Sequence, residues 1–227
     1  KANPVLKDVR VRQALAYSVN VDEVPTLLGG SGLPARGWIP PDLLVPEIRP
    51  RSSLYQPEKA RRLLAQAGYK GGKKFPTLKL FFNSGERHQL LMERAAYSWK
   101  SELGIQVELN PMEWKMLTAR LRVSPPDMYR YAWAAVYPDP LFFLEIFMRG
   151  NPNNFGAWSD SAFDALVAKL VETPIEKRDA VFWKNVERAQ AILIDTNPAL
   201  IPFYHYIRSA LISPQVTGLS FDWRGVV

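Results

Sequence analysis

Apolar residues recur along this chain with two different periods, and the switch from one period to the other is the first guide to its fold. Behind Asp8, Val11, Ala14, Leu15 and Val19 return every three to four positions and share one face of a capped helix. Asp22 opens a short second helical segment that ends at Gly29-Gly30. Residues 30–53 hold five prolines and three glycines around Trp38, which predicts a long ordered loop. Pro57 suits the first position of the next helix; Leu63, Leu64 and Ala67 supply its buried stripe, and Gly68 stops it. Leu78, Leu80 and Phe82 then alternate as a strand. Residues 86–103 read as a helix with Met92, Ala95, Ala96, Trp99 and Leu103 on one side, ended by Gly104. Ile105, Val107 and Leu109 alternate again. Strand, helix and strand in this order predict a parallel pair joined by a crossover.

A short helix over 113–123 leads into 130–140, RYAWAAVYPDP, the stretch around which the rest is organised. Its apolar rings (Tyr131, Trp133, Tyr137) and Val136 predict a buried third strand over 128–137, broken at Pro138 and Pro140. Open α/β sheets place ligands where a strand ends in such a turn before a helix. Trp133 and Tyr137 are amphipathic rings suited to lining that cleft. A core strand with an ordinary turn is the plain alternative. Beyond it lie a helix over 141–148, a polar loop over 150–160, and a helix whose Phe163, Leu166, Val167, Leu170 and Val171 face inward. Thr173-Pro174-Ile175-Glu176 forms a capping box, opening a helix that buries Phe182, Val186, Ala189 and Leu193 and ends at Asn197-Pro198. Residues 200–206 and 209–212 read as strands, and the tail from Pro214 as an exit segment. With no internal repeat and no evident linker, residues 1–227 form one α/β domain, a mixed sheet with flanking helices.

With 47% hydrophobic residues among 227, the chain is able to bury a real core, yet no apolar run is long enough to span a bilayer. It has no cysteine, which removes disulfides, thiolate metal sites and thiol nucleophiles. The net charge of +7 comes from 29 basic against 22 acidic residues. Apart from Arg49/Arg51, Arg61/Arg62 and Lys70/Lys73/Lys74 the basic residues are scattered, and no nucleic-acid-binding motif accompanies them. The two histidines, His88 and His205, have neither metal-ligand spacing nor a serine partner, and read as structural. Residues 29–32 lack the register and the Lys-Ser/Thr pair of a phosphate loop. Asp139, Asp160 and Asp164 do not form a catalytic carboxylate pair, Asp160 suiting a helix cap. The chain therefore reads as a binding protein, not an enzyme, with neither cofactor nor metal. Its start, without Met and almost at once helical, suggests a fragment or internal domain.

Several segments in order resemble the family 5 (peptide/nickel-type) extracellular solute-binding proteins of ABC transporters. They are DVRVRQALAYSVN at 8–20, PEKARRLLAQAG at 57–68, Glu113-Trp114-Lys115, the run from Trp133 to Pro140, Asn154 with FDAL at 163–166, and IPFYHY at 201–206. The resemblance implies one lobe, the C-terminal one, of a two-lobed periplasmic-binding-protein-like fold. It implies export to the periplasm or outer membrane face, an N-terminal lobe in the full-length protein, and delivery of a small, peptide-like solute to an ABC permease.

Residue by residue, Trp114 matches a tryptophan lining a side-chain pocket in the oligopeptide receptors, and Arg130 an arginine that meets a peptide carboxylate. Trp133 and Ala134 match positions along the bound peptide. Val136 stands where those receptors grip a peptide's ammonium with aspartate, and valine cannot replace that charge. A sugar or organic acid is thus an alternative solute. Asp139, in the turn, is counted with Val136 among the expected ligand-binding residues. The expected capture surface is completed by Tyr137, Asn154 and Trp38. The ligand-sensing lobe of a bacterial regulator, and a docking module using exposed rings, are the rival readings.

Overall fold

The computed structural model describes residues 3–46, 48, 53–207 and 211–218. Its organising sheet grows from β2 (Leu78–Asn83), where Leu78, Leu80 and Phe82 are fully buried. Helix α4 (Glu86–Leu103) follows and returns the chain to β3 (Val107–Met112), which pairs with β2 in parallel from Leu78↔Val107 to Asn83↔Met112. The predicted strand–helix–strand unit is therefore present. Gly104 ends α4 in the left-handed region (φ 72°), where a Cβ would lie 2.4 Å from the Gly71 carbonyl oxygen. Only glycine fits there.

Helix α5 (Trp114–Val123) is capped by Glu113, whose carboxylate accepts from the Lys115 and Met116 N–H groups. β4 (Met128–Tyr129) then joins the other side of β2, also in parallel. Here the expectation of a buried strand over 128–137 fails. Only two residues pair, one more backbone bond runs from Arg130 N–H to the Phe81 carbonyl, and the chain then leaves the sheet. β2 itself continues two residues further, to Asn83, without pairing to this segment. Val136 (74% exposed) and Tyr137 face outward.

Near the N-terminus, α1 (Val9–Tyr17) is capped by Asp8 and packs on α3 (Pro57–Gln66), which begins with proline as predicted. The buried positions of α3 are Ala60 and Leu64, with Leu63 and Ala67 only partly covered. Ala96 on α4 is likewise only partly buried. Trp99 of α4 donates its indole N–H to the Leu15 carbonyl at 3.0 Å, tying α4 to α1. The short α2 (Val24–Leu27) follows a turn capped by Asn20 rather than Asp22, since the Asn20 side chain reaches the Asp22 N–H. The proline-rich loop contains a strand the sequence did not predict, β1 (Gly32–Pro34), antiparallel to β5 (Tyr204–Tyr206). The sheet is thus divided: three parallel strands in the order β3-β2-β4 and a separate antiparallel pair.

In the second half, α6 (Leu141–Leu144), α7 (Ser161–Val171) and α8 (Ala180–Ala191) build their own core around Phe163, Val167, Phe182, Val186 and Leu193. Val171 is exposed and Leu166 half-buried, contrary to the predicted face. The capping box at 173–176 does not open α8. Pro174 has extended ψ (151°), one 3-10 turn follows, and Asp179 caps the helix through the Phe182 N–H. Of the predicted C-terminal strands, 200–206 shortens to β5; residues 209 and 210 lie outside the described residues, as does most of the tail. No described helix is long and apolar enough to cross a membrane.

Candidate ligand-binding cleft

Parallel strands end together, so the carboxyl ends of β2 and β4 bring Asn83 and Arg130 to one edge of the sheet. On β5, Tyr204 and Tyr206 are two residues apart and project to the same side. Their rings lie 4.7 Å apart. Arg130 joins the two sheets: Nη1 donates to Asn83 Oδ1 (2.6 Å), and Nη2 donates to Tyr206 Oη (2.5 Å) with Tyr204 Oη farther off at 3.5 Å. Burial, with help from its bond to Tyr206, pushes the Tyr204 phenol up to about 12. Both partners of the guanidinium on this strand are phenol hydroxyls, not carboxylates. His88 sits behind Asn83, with Nδ1 2.8 Å from Asn83 Nδ2; burial and then the nearby Arg130 charge lower its pKa.

A trough of about 1610 Å³ runs along this edge. Arg130, Tyr131, Trp133, Ala134 and Val136 line it, together with residues 155–158, Trp38, His205 and Tyr206. The same volume reaches inward past Leu15, Leu91 and Trp99, so its solute-facing part is smaller than the whole. Trp133 stacks on Phe142 (5.5 Å, 26°) and donates its indole N–H to the Phe142 carbonyl. Trp38 is held the same way, its N–H on the Phe143 carbonyl at 2.6 Å and its ring edge-on to Phe143 and Phe147. Both rings are thereby fixed by bonds to backbone carbonyls. The loop bearing Trp38 is anchored by buried Gln190, whose Oε1 accepts from the Ile39 N–H at 2.8 Å.

The remaining expected site residues stand elsewhere. Trp114 (41% exposed) is not itself on the trough; it stacks on Tyr131 (5.3 Å, 29°), which is. Tyr137 packs edge-on against Phe142, outside the trough. Asp139 accepts from the Leu141 N–H in the turn before α6 and pairs with Arg178 at 2.8 Å, both side chains 14% exposed. Asn154 spends its amide on the loop: Nδ2 donates to the Phe147 and Trp158 carbonyls, and Oδ1 accepts from the Trp158 N–H. These roles follow from turn chemistry, which draws Asn and Asp side chains to nearby backbone.

Reading the sequence alone missed Asn83, Tyr131, Phe155 and Tyr204 as parts of this edge. The alternation Tyr204–His205–Tyr206 was the available signal, since it places two rings on one strand face. His205, between them, is driven below its ordinary pKa by burial, with Asp42 and the Gly37 backbone pulling the other way. Among the described residues no group of three His, Cys, Asp or Glu side chains is placed to hold a metal ion.

Residues 1–155 match the family described as "Bacterial extracellular solute-binding proteins, family 5 Middle". The chain is 30% identical over 221 residues to the "Periplasmic oligopeptide-binding protein OppA" of Escherichia coli (strain K12), covering 95% of this chain and 40% of that protein. It has the same identity and coverage against the "Probable deoxycholate-binding periplasmic protein YgiS" of that bacterium. Among solved structures, a periplasmic oligopeptide-binding protein (OppAIV) of Borrelia burgdorferi superposes with a TM-score of 0.77 at 29% identity, over 92% of this chain and 41% of that one. The chain thus spans about 40% of the length of the relatives it matches.

Proposed function

This chain belongs to the bacterial extracellular solute-binding proteins of family 5, and from that premise we propose that residues 1–227 act as one lobe of a hinged trap for a peptide-like solute. The rest of the full-length protein supplies the opposite wall, and closure buries the solute between them. The loaded protein, exported to the periplasm or outer membrane face, hands it to an ABC permease. Binding, not catalysis, is its task, as in the relatives named for what they bind.

The observation that carries this reading is the trough edge itself. Preset rings at Trp38 and Trp133 offer flat apolar contact that tolerates varied side chains, while the Arg130 guanidinium, forked and permanently charged, orients an anionic group. A binding screen on the full-length protein by thermal shift and calorimetry tests it, with peptides of two to five residues, sugars and organic acids. Stabilisation by peptides is the expected result. No response to any class overturns it, and so does a DNA-binding domain ahead of this chain in the full-length sequence.

A second reading, a non-peptide organic acid as solute, is favoured by Val136, which presents an apolar side chain to the trough. The likeness to a protein named for deoxycholate binding points the same way.

A further inference from the structure

We propose that the inward part of the trough is a slot for a β-strand of the same full-length protein, the stretch that precedes Lys1, and that this strand joins the two sheets into one. The proposal rests on the reading of these residues as part of a longer chain, since they span about 40% of the length of their relatives. It holds whatever solute the outer edge takes.

Two long runs of backbone border the trough. Every residue over 125–136 and over 196–206 lines it, and neither 130–135 nor 200–203 forms a helix or a turn. β4 is an edge strand, paired on one side only. Alternate residues of a strand turn their backbone groups to opposite neighbours. Arg130 gives its N–H to Phe81, so the N–H and C=O of Tyr129 point away from β2. The second run alternates in the same way: the Ala35 N–H bonds to the Phe203 carbonyl, so the backbone groups of Tyr204 point away from β1. Among the described residues no backbone hydrogen bond joins the two runs, and Arg130 reaches Tyr204 and Tyr206 by side-chain ends alone. Unpaired, half-buried backbone on two edges of one trough is a template that an added strand satisfies.

What the slot touches calls for a resident strand and not a solute. Its inward lining is Leu15, Leu91, Met92 and Trp99, which belong to the core of the parallel sheet. Met128, Ile201 and Phe203 pack against that core yet stay half-buried. A solute that leaves on each cycle would uncover this core each time, whereas a strand with apolar side chains at alternate positions covers it permanently. The slot ends where the Arg130 side chain crosses to Tyr206, which leaves 125–131 to set its length, roughly 20 Å or about six residues of strand. Leu6, Lys7 and Val9 line the same trough, so the stretch ahead of Lys1 reaches the slot without a long connection.

The test is residue-resolved amide hydrogen exchange on the solute-free full-length protein. The Tyr129 N–H, which points away from β2, should exchange within tenfold of the Arg130 N–H bonded to it. Exchange more than tenfold faster than Arg130 shows an open edge and overturns the proposal, while leaving the trap reading intact. A benzophenone side chain in place of Ile201, irradiated in the same protein, identifies the occupant. Attachment to the stretch immediately ahead of Lys1 is the expected result. Attachment to any other part of the protein, or to a peptide mixture added in excess, overturns it.

Discussion

Replacing Asp139 by alanine separates a structural aspartate from a ligand-touching one. The Asp139–Arg178 pair is bonded at 2.8 Å, with both side chains 14% exposed, and Arg178 also lies 4.8 Å from the centre of the Phe182 ring. The Arg178 Nε is buried without a partner, so the carboxylate supplies most of what neutralises this guanidinium. Breaking a buried pair by removing one member costs roughly 3–5 kcal/mol, and the residual water contact places this one near about 3. The Leu141 N–H loses its acceptor as well, about 1 kcal/mol more. For 227 residues a loss of roughly 3–4 kcal/mol lowers Tm by roughly 6–16 °C, and by less in a longer chain. Urea and thermal unfolding of the full-length protein measure it. Asp139→Ala combined with Arg178→Met should be less damaged than Asp139→Ala alone, because the stranded charge is gone. The reasoning is refuted if Asp139→Ala costs under about 1 kcal/mol while solute affinity falls tenfold; the carboxylate would then be a ligand contact.

Gln190→Ala should destabilise by about 1–3 kcal/mol through the orphaned Ile39 N–H, and in fluorescence should increase the solvent exposure of Trp38, on the neighbouring residue. Stability should fall between pH 6.5 and 5. The folded pKa values of His88 and His205 are depressed below 6.5, so below that pH the unfolded chain takes protons that the folded one refuses. His205→Gln should flatten this slope in pH-dependent urea melts. The depressed carboxylates of Asp8, Glu23 and Asp160, with ordinary values of 3.8 to 4.5, act only at lower pH. On the proposed trap reading the 227 residues alone should bind solute weakly or not at all, because that reading places half the contacts and the closing step elsewhere; micromolar binding by calorimetry contradicts this.

Elements with one dominant local signal were legible in the sequence. Helix α4 has both a sustained 3.6 period and a glycine stop, and its predicted bounds match the observed ones. The run after Arg130 carried a misleading signal. Its alternating rings looked like a buried strand, but the chain leaves the sheet after the Arg130 bond to Phe81, although β2 itself continues to Asn83. Trp133 therefore satisfies its apolar face against Phe142 and its N–H on a carbonyl, leaving the chain free to border the trough. The capping box at 173–176 failed because a second cap, Asp179, lay one turn onward with the better-placed helix behind it. Asn154 and Asp139 looked like binding residues for the same property that makes them turn residues, short side chains rich in acceptors. The contact of Tyr206 with Arg130 joins positions 76 residues apart, and no local pattern reports it.

The most direct test of the central claim is photo-crosslinking. A solute that the full-length protein binds is given a benzophenone group, irradiated in the complex, and its attachment points are mapped by mass spectrometry. Attachment within 130–136, 155–158 or 204–206 is the predicted result. Attachment confined to other faces, such as α3 or the outer side of α7, would contradict the assignment of the capture surface.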